Sequence, residues 1–324
     1  MNESNTITVK IGKKSRTIEV PRSWDDLDDR TALLFYNTLF TGQGDEYTHG
    51  AFTAVKLISL TQHILGFSGD MMAKWEAEYI REDGENGQTA FLAALKEVLT
   101  TALGGLFDIQ EDEETGATTY AVKFNRTKNP WPTLNRSAIL KGGKKKTTWY
   151  YAPKDGLANI TLYELAYTFS MYETYLSTGD EQYANLLIGA IYRPSRPETA
   201  EERASAWHGD RRQPLRRYED KVQERAKHAA TMPKLTRRFL VFWFAGCREM
   251  IAQQYPKVFK RNGDGGKGGA NYGWGGLLLK LAETGTFGAL DQTADQHFSN
   301  ALTYLSMKDD ERVEQEKAFQ KAKR

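Results

Sequence analysis

The run Phe239-Leu240-Val241-Phe242-Trp243-Phe244 limits the possible folds more than any other stretch of this chain. Six consecutive large apolar residues leave a helix no polar face, so other elements must enclose it. The chain therefore needs several surrounding elements, and 324 residues supply enough for one large domain or two ordinary ones. Hydrophobic residues make up 40% and charged residues 27%, the usage of a chain that packs a core and keeps a charged surface. No apolar run reaches the roughly 18 residues that a membrane helix needs. The start, MNESNTITVK, lacks a basic segment followed by an apolar core, so no signal peptide is expected and a cytosolic protein is the default. The only cysteine, Cys247, closes the apolar run and has no intrachain disulfide partner. Arg248 beside it favours a thiolate, but its place in an all-apolar helix reads as core.

Elsewhere the periodicity is mostly helical. Leu92, Leu95, Leu99, Leu103 and Leu106 recur at three- and four-residue steps. Residues 51–65 show a similar face, and Ser23 with Asp26 marks a start for a helix through Leu33, Leu34 and Leu39. Thr161 and Glu164 predict a capping box, with Ile160 and Leu165 as its hydrophobic staple. A helix through Leu186, Leu187 and Ile191 is expected to stop at Arg193-Pro194. Thr199 with Glu202 marks another start, residues 216–255 read as helices broken at Pro233, and Thr293 with Gln296 is expected to cap a last helix.

Two stretches alternate as strands do. Ile7, Val9 and Ile11 face Ile18 and Val20 across a turn at Gly12 to Ser15. Residues 109–125 predict a second hairpin around Glu111 to Gly116. Asn125 to Pro153 reads as a long irregular excursion. Asn262 to Gly276 holds eight glycines in fifteen residues and reads as a flexible linker. The expected architecture is mainly α: a multi-helix body over 1–261 with two small β-hairpins, a linker over 262–276, and a linked helical module over 277–324 with a charged tail.

Catalytic and ligand signatures fail on spacing. A phosphate loop ending at Gly266-Lys267 needs glycine where Arg261 stands and Ser or Thr where Gly268 stands. A calcium loop from Asn262 and Asp264 needs Glu where Gly273 stands. The five histidines are scattered, and no Gly-x-Ser-x-Gly elbow exists. No cofactor, no metal and no enzymatic activity are expected. The asymmetric feature is charge: Arg193 to Arg261 carries 17 basic against 8 acidic residues in a chain whose net charge is only +2. Arg211, Arg212, Arg216 and Arg217 sit at its centre, as a surface for an acidic protein or nucleic acid or as a face paired with the acidic remainder of the chain. Lys141 and Lys144 to Lys146, followed by Trp149, Tyr150 and Tyr151, could stack bases.

Four phrases carry a resemblance. They are Val20 to Leu27 (VPRSWDDL), Leu187 to Pro194 (LIGAIYRP), Tyr255 to Phe259 (YPKVF), and Trp274 to Gln292, which includes LAETGTFG from Leu281 to Gly288. In these the chain resembles tail-module proteins, similar to tail-assembly chaperones, of Bacteroidetes phages and prophages. The resemblance implies a tail-assembly chaperone or a minor tail component, with phage tail proteins as partners, a tape-measure protein among them. It supplies no active-site residues. The expected function is a non-enzymatic assembly factor in the host cytoplasm or virion. Its gripping surface would be Leu277, Leu281, Phe298 and Leu302, with Arg211, Arg212, Arg216 and Arg217 steering acidic partners. The alternatives are a nucleic-acid-binding protein of packaging or regulation and a minor structural part of the tail; no membrane is expected to be involved.

Overall fold

The computed structural model describes residues 6–11, 14–40, 49–51, 54–111, 118–139, 145–196, 210, 212–263 and 273–323. The fold is mainly α, as expected, and divides into two compact units, Met1–Arg126 and Thr127–Arg324.

In the first unit, β1 (Thr6–Ile11) and β2 (Lys14–Glu19) form the first hairpin, with Thr6 opposite Glu19. β4 (Phe107–Glu111) and β5 (Thr118–Val122) form the second, and β3 (His49–Ala51) adds to the other edge of β5. Ser23 and Asp26 do make a capping box, but it closes only the 3-10 turn Trp24–Asp26. The helix α1 (Asp29–Phe40) starts later. Asp28 Oδ1 accepts from the N–H groups of Arg30 and Thr31, each at 3.0 Å. Three helices follow: α2 (Ala54–Leu65), α3 (Gly69–Asp83) and α4 (Gly87–Leu103). On α4 the leucine stripe behaves as its spacing requires, with Leu95, Leu99 and Leu103 buried and Leu106 beyond them also buried. The chain then turns at Gly105, where a Cβ would stand 2.4 Å from the Pro21 carbonyl oxygen, so no other residue fits. Trp24 is fully buried against Phe107, and its indole N–H donates to the Leu106 carbonyl at 3.3 Å.

Removing the α1 cap by Asp28→Ala is expected to cost about 1 kcal/mol. A lower urea midpoint for the first unit would report the loss. The Thr31 hydroxyl and N–H hold the Asp28 carboxyl below its ordinary 3.8. A carboxyl depressed by folding stabilises above its unfolded pKa and loses that contribution as pH falls through the folded value. The wild type should therefore converge on the variant in acid.

In the second unit, α5 (Leu162–Thr178), α6 (Glu181–Ile191), α7 (Val222–Ala230), α8 (Lys234–Gln254) and α9 (Pro256–Gly263) form the body. Residues Phe239 to Cys247 of α8 are buried without exception, as the apolar run demands. Gly189 of α6 lets α7 approach closely, since a Cβ there would lie 2.8 Å from the Ala226 backbone nitrogen. Pro233 separates α7 from α8 as expected.

Three expectations are corrected here. First, the excursion over 125–153 contains a third hairpin, β6 (Thr133–Ile139) against β7 (Lys145–Tyr151), and β8 (Arg193–Pro194) extends it. Its strands lack clean apolar alternation because the solvent side carries Trp149 and Tyr151, while Arg136 and Thr148 share the packed side with Leu134 and Tyr150. Second, the division does not fall at 261. Asn262 and Gly263 end α9, and Gly273 to Gly276 open α10 (Gly273–Glu283); residues 264–272 of the expected linker lie outside the described residues. The helices α10, α11 (Leu290–Ala294) and α12 (Phe298–Ala322) pack on α5 in the same unit, because their apolar face needs cover. Leu162 N–H donates to the Gln296 carbonyl at 2.8 Å, joining the two segments directly. Third, His297 caps α12 rather than Thr293, accepting from the Ser299 N–H. The start expected at Thr199 and Glu202 lies outside the described residues.

Candidate interaction surface

Thr161 accepts from the Glu164 N–H at 3.2 Å and so caps α5. The reciprocal half of the expected capping box is missing, because the Glu164 carboxylate turns inward. Its Oε1 lies 2.6 Å from Arg193 Nη1 and its Oε2 lies 3.2 Å from Arg212 Nη2. Asp210 completes the group: Oδ2 accepts from Arg212 Nη2 at 2.7 Å and from Arg193 Nη2 at 3.2 Å. Arg193 also donates to the Gln213 carbonyl at 2.6 Å, and Arg212 to the Ile191 carbonyl at 2.8 Å. Glu164, Arg193 and Arg212 are buried. Burial, and then the neighbouring Arg212 charge, push the Arg193 guanidinium below its ordinary value, while Glu164 and Asp210 pull it back. Two cations and two carboxylates, all but the partly exposed Asp210 out of water, hold one another in register. Together they join the end of α6, β8 and the segment before Leu215 to the first turn of α5.

Arg212, read from sequence as part of a steering surface, is therefore an internal strut. Arg216 is half-buried and binds Asp291 and Asp295, the latter at 3.0 Å, so it ties the turn before α7 to α11. Arg217 is exposed, and Arg211 lies outside the described residues. Arg237 and Arg238 each reach Glu181 at 3.5 Å, and Arg248 reaches Glu173 at 3.5 Å. Of the two readings of the basic segment, pairing with the acidic remainder accounts for these arginines. The apolar set also turns inward: Leu281, Phe298 and Leu302 are buried and Leu277 is half-buried. The helices that carry them pack on α5, so Leu281, Phe298 and Leu302 are withdrawn from solvent and Leu277 is withdrawn in part.

Among the described residues, the β6–β7 sheet presents an open face that carries two aromatic rings. In the β6–β7 register, Asn135 stands opposite Trp149 and Thr133 opposite Tyr151. Alternation puts Thr133, Asn135, Ser137, Thr147, Trp149 and Tyr151 on one face. Trp149 is 48% and Tyr151 40% exposed, and Ser137 and Thr147 share a hydrogen bond of 3.1 Å beside them. The opposite face is braced. Tyr150 packs over His228 of α7 with ring centroids 5.7 Å apart. Leu134, Tyr150, Ile188, Tyr192, Arg225 and His228 border a cavity of about 10 Å3, room for about one water. Burial, then the charge of Arg136, lowers the His228 pKa. Burial, then the charge of Arg193, brings Arg225 down to about 10. Tyr192 donates to the Trp131 carbonyl at 2.8 Å, which fixes the approach to β6, and burial pushes its phenol far above the ordinary range. The signal for this surface was present in the sequence as Trp149-x-Tyr151, an aromatic pair at strand spacing. Comparison with protein-family models, curated proteins and solved structures finds no match to this chain.

Proposed function

We propose that this protein is a non-enzymatic tail-assembly factor of a phage or prophage, and that it grips another tail protein through the open face of the β6–β7 sheet. The tail assignment rests on the resemblance carried by VPRSWDDL, LIGAIYRP, YPKVF and LAETGTFG. The gripping surface rests on one observation: Trp149 and Tyr151 stand side by side in solvent on a strand whose other face is braced by Tyr150. Aromatic side chains on a rigid support lose little conformational freedom on binding and supply most of the energy at protein interfaces. The factor acts in the host cytoplasm, where tail proteins await assembly, and its partner is a tail protein such as the tape measure.

A tagged chain, co-expressed with a complete tail module, should recover its partner. The double variant Trp149→Ala/Tyr151→Ala should recover at least about tenfold less, since a hot-spot aromatic contributes about 2 kcal/mol. Equal recovery by the folded variant would reject this surface.

A second reading is single-stranded nucleic acid stacked on the same two rings, favoured by Lys145 and Lys146 in the same strand. Binding of oligo(dT) that weakens steeply with salt, and that the same double variant loses, would select it.

A further inference from the structure

Among the described residues β6 is the edge of its sheet, with β7 on one side and no strand on the other. It is seven residues long, and Thr133, Asn135, Arg136 and Ser137 are exposed. A strand edge of this length offers a row of backbone donors and acceptors on which another chain can build.

The charges along it discriminate between occupants. Arg136 is the central residue of Thr133–Ile139. Two copies pairing antiparallel about that centre would set Arg136 against Arg136, and like charges directly opposite are destabilising. A shifted register relieves the repulsion only by shortening the ladder. Lys145 and Lys146 occupy the next strand, opposite Ile139 and Ala138. The positive potential of Arg136 also reaches His228 behind the sheet. A second copy is disfavoured at this edge and a negatively charged strand is favoured.

Resting on the reading of this sheet as the binding surface, we propose that the free edge of β6 receives an extended acidic segment of the partner protein as an added antiparallel or parallel strand. Backbone hydrogen bonds supply the pairing, and a carboxylate of the added strand meets Arg136. Asn135, short and opposite Trp149, leaves the indole open to a bulky side chain of the incoming strand.

The test uses the full chain and a fluorescein-labelled eight-residue peptide of alternating Val and Glu, followed by anisotropy. Its controls are the Val and Lys counterpart, the acidic peptide with every backbone nitrogen methylated, and oligo(dT). The acidic peptide should bind at least about tenfold more tightly than the basic one, a difference of about 1.4 kcal/mol. Methylation should abolish binding, because it removes the donors that the edge pairs with. Arg136→Glu, an exposed change, should weaken the acidic peptide severalfold and so shrink the charge preference. Equal binding of both peptides, indifference to methylation, or capture of oligo(dT) in place of the acidic peptide would each overturn strand addition. Recovery of a tail protein that depends on Trp149 and Tyr151 but ignores Arg136→Glu would remove this proposal and leave the assembly reading standing. Peptide binding without recovery of any tail protein would do the reverse.

Discussion

Glu164→Gln is expected to destabilise the second unit by about 3–5 kcal/mol, the range found when one partner of a buried ion pair is removed. The substitution keeps the shape but only one of the two side-chain acceptors, since an amide nitrogen cannot accept from a guanidinium, and it leaves Arg193 and Arg212 with only Asp210 to neutralise them. Arg193 has no exposed surface through which water could take over. Urea unfolding followed by tryptophan fluorescence should show a markedly lower midpoint for the second transition and an unchanged first one. The contrasting variant replaces Glu164, Arg193 and Arg212 with Leu or Met and, because Asp210 pairs with those same two arginines, Asp210 with Asn. It should lose much less than the single change, because a buried ionic group exchanged for apolar side chains of similar volume is often close to neutral. A single variant as stable as wild type would mean that the cluster does not carry the register of β8 and α5.

Trp274→Ala is expected to cost about 3–5 kcal/mol, the usual effect of truncating a buried tryptophan. Trp274 meets Phe169 of α5 edge-on at 5.0 Å and Phe259 of α9 at 5.3 Å. Its indole N–H donates to Glu173 at 3.1 Å. It is the first large residue of α10, so its loss should free that helix from α5 before the rest of the unit melts. Hydrogen exchange would show this as faster exchange along Leu162–Thr178 and Gly273–Glu283. Trp274→Phe should recover most of the stability, losing the hydrogen bond and some contact area. Unchanged exchange on α5 in the alanine variant would show that α10 is held elsewhere. Deleting residues 271–324 would be a poor probe of partner binding for the same reason: it strips the cover from α5 itself.

Legibility varied with how local each cause is. The helix over Gly87–Leu103 could be read because its leucines repeat within a few residues of one another. The enclosure of Phe239 to Phe244 could be read because no solvent-facing side exists on that run. The turn between α10 and α11 is built on Gly285 and Gly288, which adopt a positive φ that other residues rarely take, so its cause too is local. The start of α1 differs by a few residues because two capping signals follow one another: Ser23 with Asp26 closes a 3-10 turn, and Asp28 then caps the helix itself. The β6–β7 hairpin was missed because Thr, Asn, Ser, Arg and Lys dominate its strands, and pairing there depends on the backbone rather than on apolar alternation.

The candidate site was the least legible part. Arginines in a run look like a surface, because sequence records their neighbours and not the acids that reach them from far away. Glu164 meets Arg212 across 48 residues, and Arg216 meets Asp295 across 79. The apolar residues of α10 and α12 look like a grip for the same reason. By itself the sequence determined a mainly helical chain, two of its hairpins and the helix that must lie at a core, since those follow from side-chain periodicity within single segments. Only the tertiary structure decided which charges cancel, which apolar faces are already covered and which aromatics are left in solvent. Those outcomes depend on contacts between segments that are distant in the chain, which burial and charge pairing select only when the whole unit folds.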